Sequence, residues 1–404
     1  MNPSILITPN SKKAGKLDSI IPTDGTGDLD VVRATTATYV GSDGLIKTAL
    51  ANEPRFDYSN GSCPSILVEP QMSNSWTNNN SNNGYATLPD LQLISIIPNA
   101  FGNGINGYNF SITSTNVFIS TLTALRTFNT IGFPVQRLCL YVKNPSSDFF
   151  GINYLNVGQV IFKFSTLEVS DSSLGSIRKI NNNTYALYIH NDNSITGQFS
   201  QVRISFVKSL TNSENVVGSA IIGLGYQQGL SSGSLPNVYS PIVTTTTSVT
   251  RNADVISKSG ISDLIGQTQG SLVYYFIKNS SNSIPNISLS NNGTNPRFFP
   301  FESGISYVFF LQSATVLVNY LYPLNNFIIG LNKIGITYGA GSFKIYINGS
   351  LITSVPYTEQ DLSFSKLNIG SSISNSVTGT SNNNIVLISK EILSESKMIQ
   401  LTTL

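Results

Sequence analysis

The sequence is 404 residues long, 40% hydrophobic and 10% aromatic, enough apolar mass for two or three cores at roughly 100–200 residues per domain. Only 11% is charged, and 23 Lys and Arg against 21 Asp and Glu leave a net charge of +2. That balance supplies no cationic run to neutralise phosphates, which argues against nucleic-acid binding, and the apolar content argues against disorder.

In chain order, residues 1–72 carry many turn residues and a cluster of Lys12, Lys13 and Lys16, and read as an extended segment with few long strands. The start, MNPSILITPNSKK, lacks the cationic-then-apolar order of a signal peptide, and no apolar run approaches 18 residues, so no membrane insertion is expected. Ser73 to Asn83 is a polar, Asn-rich stretch containing Trp76. Two β blocks follow. In the first, Leu138, Leu140 and Val142 alternate with Cys139, Tyr141 and Lys143, which predicts a half-buried strand. Tyr185, Leu187 and Ile189 alternate likewise, as do Val202, Ile204 and Phe206. In the second, Leu272, Tyr274 and Phe276 alternate, then Phe343, Ile345 and Ile347. Tyr274, Tyr275 and Phe276 place aromatics on both faces of one strand, so one face needs a cover, which points to a subunit contact. Asn348-Gly349 predicts a two-residue hairpin, because both residues accept positive φ. One helix is predicted at the end, with Ser394 as its N-cap and Met398 and Leu401 a turn apart. The fold class is therefore all-β: two jelly-roll or β-sandwich domains, 73–250 and 251–404, after an extended N-terminal segment, 1–72.

The inventory limits the chemistry. Cys63 and Cys139 form no Cys-x-x-Cys pair, and buried free thiols are expected rather than a Cys63–Cys139 disulfide. His190 is the sole histidine, so a His/Cys zinc site cannot be assembled. It precedes Asn191 and Asp192 at a strand end, and no Gly-x-Ser-x-Gly accompanies it, so catalysis is not expected there. A glycosidase would need two placed carboxylates, with Asp361 an obvious one to inspect. Asp18, Asp24, Asp28 and Asp30 lie close in sequence and make calcium the one cofactor to consider, although their spacing does not match an EF-hand.

Four strings within residues 33–71 carry the most information: Arg33-Ala-Thr-Thr-Ala-Thr, Ser42-Asp-Gly-Leu-Ile-Lys47, Asn52-Glu-Pro-Arg-Phe-Asp-Tyr58 and Leu67-Val-Glu-Pro-Gln71. Ser42-Asp43-Gly44 reads as a turn, and Pro54 and Pro70 impose extended backbone before them. Arg33, Arg55 and Glu69 either pair and pin this segment onto a neighbour or are solvated surface charges. The ordered set resembles a segment of bacteriophage virion proteins that precedes a carbohydrate-binding-module-like jelly roll. Ile221 to Gly229, Tyr239 to Val243 and Val249-Thr-Arg-Asn-Ala-Asp254 resemble the end of that jelly roll, with Gln228 where a Glu is common. Lys333 to Tyr338, Gly341 to Ser350, Leu367 to Gly370 and Leu393 to Met398 resemble a concanavalin-like, laminin-G-like sandwich.

The resemblance implies a structural component of a tailed-phage virion, a head or tail fibre or similar appendage, made in the host cytoplasm and displayed on the virion surface. It implies attachment to other virion proteins through the N-terminal segment, a homo-oligomer with a trimer as first choice, and sandwiches that bind a host-surface glycan. A polysaccharide depolymerase or a free glycan-binding lectin is the alternative. The expected chain is not an enzyme. By residue type, Trp76, Tyr226, Tyr239 and Tyr338 are the candidates to stack on sugar.

Overall fold

A computed structural model describes residues 2–74, 91–113, 121–122, 135–154, 158–181, 183–191, 202–230, 240–244, 246–278, 286–291, 293, 295–303, 305–371 and 380–404. The chain is all-β, with one α-helix among the described residues, Glu395–Thr402. It divides into two compact units, and neither is a single stretch of sequence. The first holds residues 1–36, 49–71 and 252–404; the second holds 37–48 and 72–251. Residues 1–72, expected as a separate extended segment, are thus shared out as strands of both units. Their strands are short and broken by turns, which reads locally as extended chain, but Ile5–Lys13, Leu29–Val32 and Ser65–Val68 pair with partners far away in sequence.

In the first unit, strand Gly270–Lys278 is central and is flanked by Gly330–Gly339 and Ser381–Ser389. Ser381–Ser389 pairs on its other side with two N-terminal strands: Ile388 faces Ile5 in Ile5–Lys13, and Asn382 faces Leu67 in Ser65–Val68. Ile5–Lys13 continues into a hairpin with Lys16–Ile21, and the ladder passes on through Leu29–Val32 to Val255–Ser259 and Lys366–Ile369. The core contains Leu272, Tyr274 and Phe276 together with Phe343, Ile345 and Ile347, following the predicted alternation. The Asn348-Gly349 hairpin is present, with φ of 48° and 86° and Ile347 opposite Ser350.

The other face of Gly270–Lys278 is covered from within the chain. Val273, Tyr346, Leu387, Leu393 and Met398 form a second buried cluster, with Tyr275 packed against it. The Tyr275 hydroxyl donates to the Leu401 carbonyl at 2.5 Å. The predicted subunit contact at this face is therefore corrected: the C-terminal helix occupies it. Ser394 caps that helix, its hydroxyl accepting from Lys397 N at 3.3 Å.

In the second unit, an eight-stranded sheet includes Val135–Lys143, Thr184–Asn191 and Gly218–Leu230, and a six-stranded sheet includes Phe149–Tyr154, Gly158–Lys163 and Val202–Val207. Leu140, Val142, Leu187 and Ile189 pack with Phe150, Ile152, Phe162 and Phe206 in one core. Cys139, Tyr141, Ala186 and Tyr188 point to the opposite face and are also buried, together with Val40 and Ile46 of the hairpin Ala37–Val40 and Ile46–Ala49. The strand expected to be half-buried is buried on both faces because this hairpin lies over it. Ser42-Asp43-Gly44 is its turn, with Gly44 N bonded to Gly41 O at 2.9 Å and Gly44 at φ 73°.

Candidate functional site

Arg33, Arg55, Glu69 and Asp254 converge in the first unit. Arg33, Arg55 and Glu69 are each 1% exposed and Asp254 is 2% exposed, so the solvated-surface alternative is corrected. Asp254 is the hub. Its Oδ1 accepts from Arg33 Nη1 at 2.6 Å, and its Oδ2 accepts from Arg55 Nη2 and from Glu69 N, the latter at 2.9 Å. Arg55 Nη1 donates to Glu69 Oε2 at 2.6 Å. Burial disfavours the Arg55 cation, but Asp254 and Glu69 more than restore it and push its pKa above the usual arginine value. Neighbouring residues of the same strings serve the same knot. Asn52 at φ 60° accepts from Arg33 N through its Oδ1 at 2.9 Å, while its own N–H donates to Arg33 O. Asn252 N donates to Thr35 Oγ1 at 2.9 Å. This constellation, buried and paired within the chain, is structural.

An open cleft of about 620 Å³ lies in the second unit, where loops of its two sheets meet. The loop 144–148 leaves Val135–Lys143 of one sheet and enters Phe149–Tyr154 of the other. It is clamped at three points: Asn144 N to Asn183 O at 2.8 Å, Ser146 N to Ser219 O at 2.9 Å, and Ser146 Oγ accepting from Ser219 N at 2.7 Å. The rings of Phe164 and Tyr185 pack 4.6 Å apart at the cleft. Phe164 is buried, whereas Tyr185 is half-buried. Exposed Asn144 and Asn183 stand at the rim. Asp148 accepts from Ser165 N and Ser165 Oγ, both at 2.7 Å, one on each oxygen. Burial, and then the negative charge of Asp148, raise the Tyr185 pKa, so the phenol stays neutral at ordinary pH. The arrangement offers a ring face, amides and hydroxyls in a fixed frame, which suits binding of a polar ligand with an apolar face.

Of the four aromatics chosen by type, only Tyr338 has a described side chain, and it is not among the residues lining this cleft. Trp76 and Tyr239 lie outside the described residues. Tyr226 sits in Gly218–Leu230, opposite Cys139. Tyr338 is corrected as a sugar contact. It is 4% exposed, packs edge-on against Phe364, and its hydroxyl donates to Gly266 O at 2.7 Å, so its ring belongs to the core. Tyr185 was legible only as one member of an alternating strand. Its signal was position, directly after the Asn181–Asn183 turn.

The remaining candidates separate in the same way. The backbone sets His190 opposite Arg137, and Asp192 lies outside the described residues. Asp361 is exposed and caps a turn, its Oδ1 accepting from Ser363 N at 2.9 Å. The four N-terminal aspartates are each engaged by other side chains. Lys13 bridges Asp18 at 3.4 Å and Asp28 at 2.9 Å, Lys16 pairs with Asp30, and Asp24 accepts from Thr26. Among the described residues no group of three or more His, Cys, Asp or Glu side chains is placed to hold a metal ion, and no helix is long and apolar enough to cross a membrane. Cys63 is exposed, Cys139 is buried, and both are free.

No protein-family model matches the sequence, and no curated protein matches it. Solved structures with partial likeness include the CBM40 of the Ruminococcus gnavus IT-sialidase bound to α2,3-sialyllactose, at 15% identity and TM-score 0.30, covering 34% of this chain and 84% of that one. A mutant of the NanB sialidase from Streptococcus pneumoniae aligns at 16% identity and TM-score 0.30, covering 36% of this chain and 26% of that one. The botulinum neurotoxin serotype G binding domain gives 16% identity and TM-score 0.30, over 36% of this chain and 39% of that one. Overlaps this slight assign neither a family nor a ligand.

Proposed function

We propose that this chain is a non-enzymatic β-sandwich protein that binds a surface glycan through the cleft at Tyr185. The observation that carries the reading is the cleft itself: a half-buried tyrosine ring beside exposed amides, on loops clamped by backbone hydrogen bonds. Sugar rings have apolar C–H faces that stack on aromatics and hydroxyls that pair with amides. Hydrolysis would need a second carboxylate about 5–10 Å from the first. Among the described lining residues the only carboxylate is Asp148, which is already engaged by Ser165. The depolymerase alternative is therefore the weaker reading.

The setting we propose is a tailed-phage virion appendage, a homo-oligomer and provisionally a trimer, in which several weak sites act together. Support for the setting is the resemblance of residues 33–71 and 249–254 to virion proteins. The test of the glycan reading is an immobilised glycan array probed with the full chain and with Tyr185→Ala. The variant is expected to lose at least tenfold in binding while keeping the wild-type melting temperature to within a few degrees, since Tyr185 packs at the edge of the core. Retention of binding by Tyr185→Ala would move the site elsewhere.

A further inference from the structure

The cleft has a sign. Its described lining contains one formal charge, the Asp148 carboxylate, and no Lys or Arg. Lys143 and Lys163 of the adjoining strands are engaged elsewhere, and Lys179, exposed and opposite Tyr185 on the next strand, is not among the described lining residues. Lys143 Nζ donates to Ala100 O at 2.9 Å, and Lys163 Nζ lies 3.7 Å from Glu168 and 6.0 Å over the Phe149 ring. The Ser165 donors hold the carboxylate in place without neutralising it. Burial first, and the Asp148 charge second, raise the Tyr185 pKa.

We infer that this cleft selects neutral saccharides and rejects sialylated or uronate-bearing ones, with Asp148 as the rejecting group. The inference rests on the glycan reading of the same cleft. A sugar carboxylate is ordinarily held by a guanidinium fork or an ammonium. Here it would meet a like charge and no cation among the described lining residues, and it would lose water without gaining a charged partner there. A neutral sugar keeps every favourable element: the Tyr185 face, the Asn144 and Asn183 amides and the loop hydroxyls. Asp148 even assists it, because a carboxylate can still accept a sugar hydroxyl alongside Ser165.

The experiment uses the full chain on a panel of immobilised neutral oligosaccharides, each printed beside its sialylated counterpart. Wild type, Tyr185→Ala, Asp148→Asn and Asn183→Lys are compared after melting curves confirm folding. The expected result is Tyr185-dependent binding of a neutral member and about three- to tenfold weaker binding of its charged twin. The gap should narrow in high salt, which screens an exposed charge. Asn183→Lys adds a cation at an exposed rim position and should recover the charged twin by a similar factor. Asp148→Asn should do the same, and if it fails to fold the Asn183 variant carries the test. Tyr185-dependent binding with the sialylated twin equal or tighter overturns the charge selection and leaves the site standing. Absence of binding to every member, or binding insensitive to Tyr185→Ala, overturns the glycan reading and this inference with it.

Discussion

Asp254 illustrates what a single buried residue does in this fold. Three donors meet its two oxygens, and two of them are guanidiniums removed from water. A buried ion pair adds little net stability, because desolvation offsets the attraction, but deleting one partner strands the other in a low dielectric. Asp254→Asn keeps the shape, removes the charge, and should lower the unfolding free energy by about 3–5 kcal/mol in urea titration. Breaking the exposed Lys208–Glu214 pair should leave the midpoint nearly unmoved, although its 3.0 Å spacing is good. Arg33, Arg55 and Glu69 stood out in sequence as a possible set. Asp254 did not join them, because its contact with Arg33 spans 221 residues and leaves no local pattern. Asp28 gives a pH signature. Burial raises its pKa, but Lys13 and the Ser19 N–H and hydroxyl outweigh that and hold it below the ordinary aspartate value. A depressed folded pKa contributes stability that is complete above the unfolded value of about 4 and is lost as pH falls through the folded value. Asp28→Asn should therefore be destabilised near neutrality and show a flatter acid limb below about pH 4 in melting curves.

At the scale of elements, two covers decide what the sheets can expose. The C-terminal helix closes one face of the first unit, and the hairpin Ala37–Val40 with Ile46–Ala49 closes one face of the second. Strand alternation was readable from the sequence at Tyr185–Ile189, Leu272–Phe276 and Phe343–Ile347, and so was the Asn348-Gly349 turn. Both depend only on near neighbours. What lies over the second face of a strand depends on tertiary packing, so the burial of Tyr141 and the cover over Tyr275 were not readable. The same holds for the cleft, which is lined by three segments that are separate in sequence. Gly335 tests the helix cover directly. A Cβ there would meet Met398 Cε at 2.6 Å and Thr402 Cγ2 at 2.9 Å. The methionine tip can swing aside, but the threonine methyl is fixed on the helix. Gly335→Ala should therefore push the helix off the sheet slightly and destabilise by about 1–3 kcal/mol, with increased hydrogen exchange confined first to the 395–402 amides.

At the scale of the whole molecule, the chain interleaves its units, and this changes how assembly can be measured. An N-terminal attachment segment would be removable: a chain beginning at residue 73 would keep both sandwiches and lose only self-association. The observed pairing argues otherwise. Removing residues 1–72 takes Ile5–Lys13 and Ser65–Val68 from the edge of Ser381–Ser389, and Leu29–Val32 from Val255–Ser259. It also removes Arg33, Arg55 and Glu69 and leaves Asp254 a buried charge without these partners. In the second unit it strips the hairpin that buries Phe101, Tyr141 and Tyr188. Each loss alone is worth several kcal/mol, against a typical domain stability of about 5–15 kcal/mol. The truncated chain should therefore melt without a cooperative transition, bind a hydrophobic dye and scatter as aggregate. The full chain should unfold cooperatively, and only its mass by light scattering can report the oligomeric state. Two cooperative melts from the truncated chain would mean that the N-terminal strands are dispensable dressing on self-sufficient sandwiches.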